Sequence, residues 1–205
     1  GTSQNMTVTG LSPSTTYYFA MKTADEVPNW STLSNSPSGA TSADGVPTLG
    51  SLGQFLIDGT TAIPVGGPTT QASVIIKATL SDPDLDQVLL EVEVRPVGTS
   101  FTNAATTTGT LVASGSTVLL TVPVAADNQY HWQARALDSY GAPSAWTSFG
   151  TNPESQADFV RDTTEPGSMI TTTGFLSAST YPGMIQGTAS DGATGSGIAS
   201  VSIAI

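Results

Sequence analysis

Two stretches of this chain repeat one another, and the repeat limits what the chain can fold into. Residues 17–25 read Tyr-Tyr-Phe-Ala-Met-Lys-Thr-Ala-Asp, and residues 130–138 read Tyr-His-Trp-Gln-Ala-Arg-Ala-Leu-Asp. A short turn and a tryptophan follow each, Trp30 in the first copy and Trp146 in the second, with Leu33 and Phe149 in step behind them. Side chains alternate faces along a strand, so Tyr130, Trp132, Ala134 and Ala136 fall on one face and His131, Gln133 and Arg135 on the other. In the first copy Tyr17, Phe19, Met21 and Thr23 oppose Tyr18, Ala20 and Lys22. One face is apolar and one polar, the pattern of an antiparallel sheet with a core on one side and water on the other.

Further alternating runs extend the same reading. Val74, Ile76, Ala78 and Leu80 share a face, as do Val88, Leu90, Val92 and Val94. Strands are also expected at residues 6–9, 33–40, 117–122, 157–161, 184–190 and 198–205. The composition agrees, since Thr favours strands and the many Gly and Ser favour turns. The expected fold class is all-β: tandem antiparallel β-sandwiches with incomplete domains at both ends.

The approach to the first repeat, Leu11-Ser12-Pro13-Ser14-Thr15-Thr16-Tyr17, resembles the Leu-x-Pro-x-Thr-x-Tyr entry to a late strand of fibronectin type III domains. That resemblance implies a tyrosine corner, in which the Tyr17 hydroxyl bonds back to upstream backbone. Residues 124–130 keep the apolar start and Tyr130 but lack the Pro and Thr. The middle of the chain resembles a bacterial variant of the sandwich, through Asp82-Pro83-Asp84-Leu85-Asp86, the strand from Tyr130 to Ala136, and Asp162-Thr163-Thr164-Glu165-Pro166. Residues 185–191 and 195–201 are similar to the opening half of bacterial immunoglobulin-like repeats. The implied organisation is the C-terminal half of a fibronectin type III-like domain at 1–43, a complete fibronectin type III or immunoglobulin-like domain at 44–166, and the N-terminal half of a bacterial immunoglobulin-like domain at 167–205. The half domains are expected to be completed by a longer chain or by strands of another copy.

Charge excludes several function classes. Five Lys and Arg stand against 16 Asp and Glu, for a net charge of −11. Phosphate backbones and anionic membrane surfaces need clustered cations, so neither nucleic acid nor a membrane is an expected partner. The chain has no cysteine, which removes disulfides, thiolate metal sites and a thiol nucleophile. His131 is the single histidine. A triad would have one base available, and strand alternation places it on a wet outer face as a surface residue. Glu91 and Glu93 alternate onto that outer face and read as solvated, without the cleft a glycosidase needs.

The remaining chemistry lies in loops. Asp82, Asp84 and Asp86 alternate along one turn, and calcium takes several oxygen ligands from such a loop. The Gly and Glu of an EF-hand loop are missing, and Asp suits turns without any ion. Apart from calcium, no cofactor is expected. Tyr17, Phe19, Trp30, Tyr130, Trp132 and Trp146 are expected to hold cores and sandwich ends together; exposed tryptophans, or the loop residues Tyr140 and Tyr181, would instead suit a glycan. The sequence therefore points to a non-enzymatic extracellular or cell-surface spacer of bacterial type, with neighbouring domains and other copies of itself as partners. A self-assembling filament or surface-layer subunit and a carbohydrate-binding accessory region are the alternatives.

Overall fold

In a computed structural model of the chain, residues 3–171, 186–192 and 195–203 are described, and they contain strands and turns without a helix. No helix is long and apolar enough to cross a membrane. The chain divides into two units, Gly1–Gly45 and Val46–Ile205.

The first unit holds β1 (Thr16–Tyr18) and β2 (Ser38–Ala40), paired antiparallel with Tyr17 opposite Gly39. An isolated bridge joins Ala24 to Trp30. The strands are shorter than the repeat suggests, and residues 6–9 form none. Phe19 is 41% exposed and Trp30 65% exposed, which corrects the expectation that they hold a core. The physical reason is local. A two-stranded sheet has no facing layer among the described residues of this unit, so apolar side chains with strand spacing remain open to water.

The second unit is built from β3 (Thr48–Phe55), β4 (Gly67–Thr69), β5 (Ser73–Ser81), β6 (Val88–Pro96), β7 (Thr107–Thr108), β8 (Thr117–Pro123), β9 (Asn128–Asp138), β10 (Thr147–Ser148) and β11 (Phe159–Arg161). One sheet runs β3-β5-β8, and the other runs β4-β11-β9-β6-β7 with β10 also against β9. All pairings are antiparallel except β4 with β11, which are parallel. This is an immunoglobulin-like β-sandwich. The tail adds a two-stranded ribbon of β12 (Gly167–Ile170) and β13 (Gly187–Ser190), both exposed. The expected strands at 184–190 and 198–205 extend partly outside the described residues. The described part of the second, residues 198–203, is not a strand.

The core is made by the alternating residues. Val74, Ile76, Ala78 and Leu80 of β5 meet Val88, Leu90 and Val92 of β6 and Trp132, Ala134 and Ala136 of β9, and each is at most 1% exposed. Register follows from this: Leu90 lies opposite Ala136, Val92 opposite Ala134 and Val94 opposite Trp132, so the large indole faces a mid-sized neighbour and the alanines leave it room. Trp132 stacks on Phe149 at 4.5 Å between centroids, and Tyr130 on Phe159 at 5.3 Å.

Candidate functional site

The two tyrosine corners differ in direction. In the first unit the Ser12 amide donates to the Tyr17 hydroxyl oxygen at 2.8 Å. In the second, the Tyr130 hydroxyl donates to the Ala126 carbonyl at 2.8 Å, although the Pro and Thr of the motif are missing there. The geometry needs the tyrosine and a short return of chain, not the whole motif.

The outer face of the larger sheet is not the wet surface that alternation implies. Glu93 has no exposed surface and His131 is 3% exposed, because the 97–106 loop and the segment around Glu154 fold across this face. Cross-strand register sets Glu93 opposite Gln133, Arg95 opposite His131, and Glu91 opposite Arg135. The Glu93 carboxylate accepts from Arg95 Nε, from the Thr102 amide and hydroxyl, from the Asn103 amide and from Gln133 Nε2, all at 2.8–2.9 Å. Burial would raise its pKa, but the bonds from Thr102, Arg95 and Gln133 outweigh it and lower the value from 4.5 to about 2. Phe101 stacks on His131 at 4.2 Å. The ring nitrogens face Glu154 Oε2 at 2.7 Å and the Thr99 carbonyl at 2.9 Å, so a ring protonated on both nitrogens donates to both. No serine hydroxyl contacts this histidine among the described residues, and its nitrogens are already committed to loop closure.

Trp146 is half-buried and lies outside the core. The Arg135 guanidinium sits 4.8 Å over its ring while bonding Glu91 at 2.6 Å. It therefore covers the outer face beside β9, which corrects its expected place packing the end of the sandwich; the residue at the core edge is Phe149. Tyr140 is 47% exposed, and Tyr181 lies outside the described residues.

Aspartates gather where two turns meet at one end of the sandwich. The 82–86 turn follows β5, and the turn after Asp138 follows β9; the Ser139 amide donates to the Gln87 carbonyl at 2.9 Å and ties them together. Asp82 is 4% exposed, so it is a buried residue at the root of the turn and not a solvated one. Its Oδ1 accepts from the amides of Asp84 and Asp86. Asp138, 3% exposed, repeats the arrangement, with Oδ1 accepting from the amides of Tyr140 and Ala142. Gly141 takes a φ of 93° in that turn, where a Cβ would be strained. The Oδ2 atoms of both Asp82 and Asp138 are buried and have no hydrogen-bond partner. Asp84 and Asp86 bring carboxylate oxygens within 4.8 Å of one another. Burial, then the charges of Asp82, Asp84 and Asp138, raise the pKa of Asp86. Two carboxylates as close as those of Asp84 and Asp86 suit a divalent cation of the calcium or magnesium kind. Sequence spacing points to three of the four; Asp138 is hidden because it sits more than fifty positions away as the last residue of the repeated strand motif.

No family model matches this chain, and neither does any curated protein. Among solved structures, the PKD domain of an M14-like peptidase from Thermoplasmatales archaeon SCGC AB-540-F20 is similar over 52% of this chain and 90% of that one, at 18% identity and a TM-score of 0.32. A likeness that distant adds nothing to the fold read from the strands themselves.

Proposed function

We propose that the chain is a non-catalytic structural module, of fibronectin type III or related immunoglobulin-like kind, from a multidomain protein displayed outside a bacterial cell. The observation that carries this reading is where the polar chemistry has gone. Among the buried polar side chains described in the second unit, Gln54, Glu93, His131 and Asp158 close loops and join strands, and their donors and acceptors are engaged by neighbouring protein groups. The cleft along β12 and β13, about 530 Å³, is lined by residues such as Met169, Ile170, Val201 and Ile203 with no ionisable side chain. The cleft between β7 and β8 has none either. General acid–base or nucleophilic catalysis needs such groups converging on open space. A low count of cations fits a module that meets neither nucleic acid nor an anionic membrane.

A second reading draws on one feature. In the first unit Met6, Met21, Trp30 and Leu33 are 60–89% exposed, and a face of that kind suits strands from another copy of the chain. Sedimentation velocity across a concentration series separates the two. The spacer reading expects one monomeric boundary throughout, whereas concentration-dependent polymers, seen as regular fibres by electron microscopy, would replace it with the self-assembling subunit. Binding on a glycan array that is lost in Trp30→Ala would instead favour the carbohydrate-binding alternative.

A further inference from the structure

We propose that His131 is a pH-sensitive latch on the loop between β10 and β11. Its protonated ring holds Glu154 of that loop against the larger sheet. Loss of the ring proton frees the loop, while residues 99–103 stay closed. The ring is 3% exposed, yet both of its nitrogens face acceptors: Nδ1 faces the Glu154 carboxylate at 2.7 Å and Nε2 the Thr99 carbonyl at 2.9 Å. Two such acceptors are satisfied together only by the imidazolium, which carries a hydrogen on each nitrogen. A neutral ring keeps one hydrogen, so its other nitrogen turns a lone pair toward an oxygen in a site closed to water, which costs free energy.

The two acceptors differ in how easily they let go. The Glu154 side chain is 48% exposed, so it can turn outward and be hydrated. The Thr99 carbonyl belongs to a turn closed by the Thr99 amide on the Pro96 carbonyl at 3.0 Å. The residues after it are fastened by Phe101 stacked on the ring and by the Thr102 and Asn103 amides on Glu93. The neutral ring therefore keeps its hydrogen on Nε2, toward Thr99, and gives up Glu154. Among the described residues, that bond is the one hydrogen-bonded tie of residues 151–156 to the sheet. Their other hydrogen bonds join Asn152, Pro153, Gln156, Ala157 and Asp158 to one another, and Thr151, Pro153, Ser155 and Gln156 are exposed.

The charges around the ring come from several elements. Arg95 lies opposite His131 in the β6–β9 ladder, with its guanidinium bonded to Glu93 and Thr102. Arg135, four residues along β9, is paired with Glu91. Asp158 precedes β11; burial is the largest influence on its carboxyl, and the charges of Glu154 and His131 reach it as well. Residues 97–106 and β10 carry no ionisable side chain. Arg95 opposes the imidazolium and is offset by Glu93, whereas the carboxylates of Glu154 and Asp158 favour it. In acid, protonation of Glu154 removes the charge of the pair. The latch is thus closed in the band of pH between the two titrations and opens as pH rises through that of the ring.

The test is NMR on the full, isotope-labelled chain. His131 is the single histidine, so its ring Cε1–H signal reports the titration without ambiguity. Across that titration the backbone order parameters of residues 151–156 should fall from about 0.85 to below about 0.6, with the same midpoint, while those of residues 99–103 stay high. Glu154→Ala removes an exposed side chain, so the sandwich should keep its fold, read from unchanged amide shifts in β5 and β6. In that variant residues 151–156 should show the low values on both sides of the ring titration. Order parameters of residues 151–156 that do not change across the titration would overturn the latch. So would a Glu154→Ala loop as rigid as that of the protonated wild type. Loosening of residues 99–103 in place of 151–156 would overturn the assignment of the bond that breaks.

Discussion

The donors that converge on Glu93 show how one residue can fix a loop. Strand alternation correctly turns Glu93 away from the core, but it cannot report that residues 101–103 return across the sheet and seal the carboxylate from water. The Thr102 and Asn103 amides and the Arg95 and Gln133 side chains then compensate its burial. Glu93→Gln should cost about 1–3 kcal/mol at neutral pH, since the new amide nitrogen faces donors it cannot accept from. The pH dependence has a definite sign. The folded pKa of about 2 lies below the ordinary 4.5, so the unfolded chain takes up this proton first as pH falls. The stabilisation is complete above 4.5 and is lost toward 2. Urea unfolding across that window should show the wild type losing stability more steeply than Glu93→Gln; parallel curves would remove Glu93 as the cause. His131 carries the same lesson, because its outward parity is clear from the repeat while its cover of Phe101 and Glu154 comes from loops with no periodic signal.

At the scale of the element, β9 is the strand on which the sandwich depends. It pairs along its length with β6, meets β11 and β10 on its other side, and carries Trp132 into the core. A tryptophan in a dry core needs a partner for its N–H, and Gln54 of the facing sheet provides it: Trp132 Nε1 donates to Gln54 Oε1 at 2.8 Å. Gln54 Nε2 donates in turn to the Asp158 carbonyl at 2.6 Å, and the Trp132 amide donates to Asp158 Oδ2 at 2.8 Å. Both sheets and the entry to β11 are thus joined by one polar chain through the core. Burial is the main reason that the Asp158 pKa is raised, with the Trp132 amide acting against it. Gln54→Leu should destabilise by about 1–3 kcal/mol, by stranding the indole N–H, while the Asp158 carbonyl keeps the Gly66 amide as a donor. A cost near zero in chemical denaturation would mean that water replaces the glutamine.

The strands of this network are legible in unequal degree. β5, β6 and β9 carry four or more alternating apolar residues, and that alternation alone assigns their inward faces. β3 carries no such signal because it is interrupted: register shifts between Gly50 and Gly53, and Ser51 takes a φ of 50°. β4 is illegible because three residues hold no period, and Gln54 because nothing in a lone glutamine between Gly53 and Phe55 announces a buried partner.

Across the whole molecule, the two units differ in what could keep them folded. In Val46–Ile205 two sheets enclose aliphatic and aromatic side chains with no exposure to water. Among described residues 3–45 none is buried, and the visible order comes from one short ladder with the backbone bonds that continue it from Phe19 to the Ala24–Trp30 bridge, the Tyr17 corner and the turn in which Asp25 accepts from the amides of Val27 and Asn29. Exposed backbone hydrogen bonds of this sort open readily, since little apolar surface is released when they break. Hydrogen exchange followed by mass spectrometry on the intact chain should therefore give two classes of peptide. Those spanning β5, β6 and β9 should exchange only through global unfolding, while those from residues 3–45 should exchange at rates close to an unstructured chain. Dilution decides what a contrary result would mean. Protection of residues 3–45 that fades as the protein is diluted would assign their missing layer to another copy and favour the self-assembling subunit over the spacer. Protection that persists at every concentration would show that the layer comes from within the same chain.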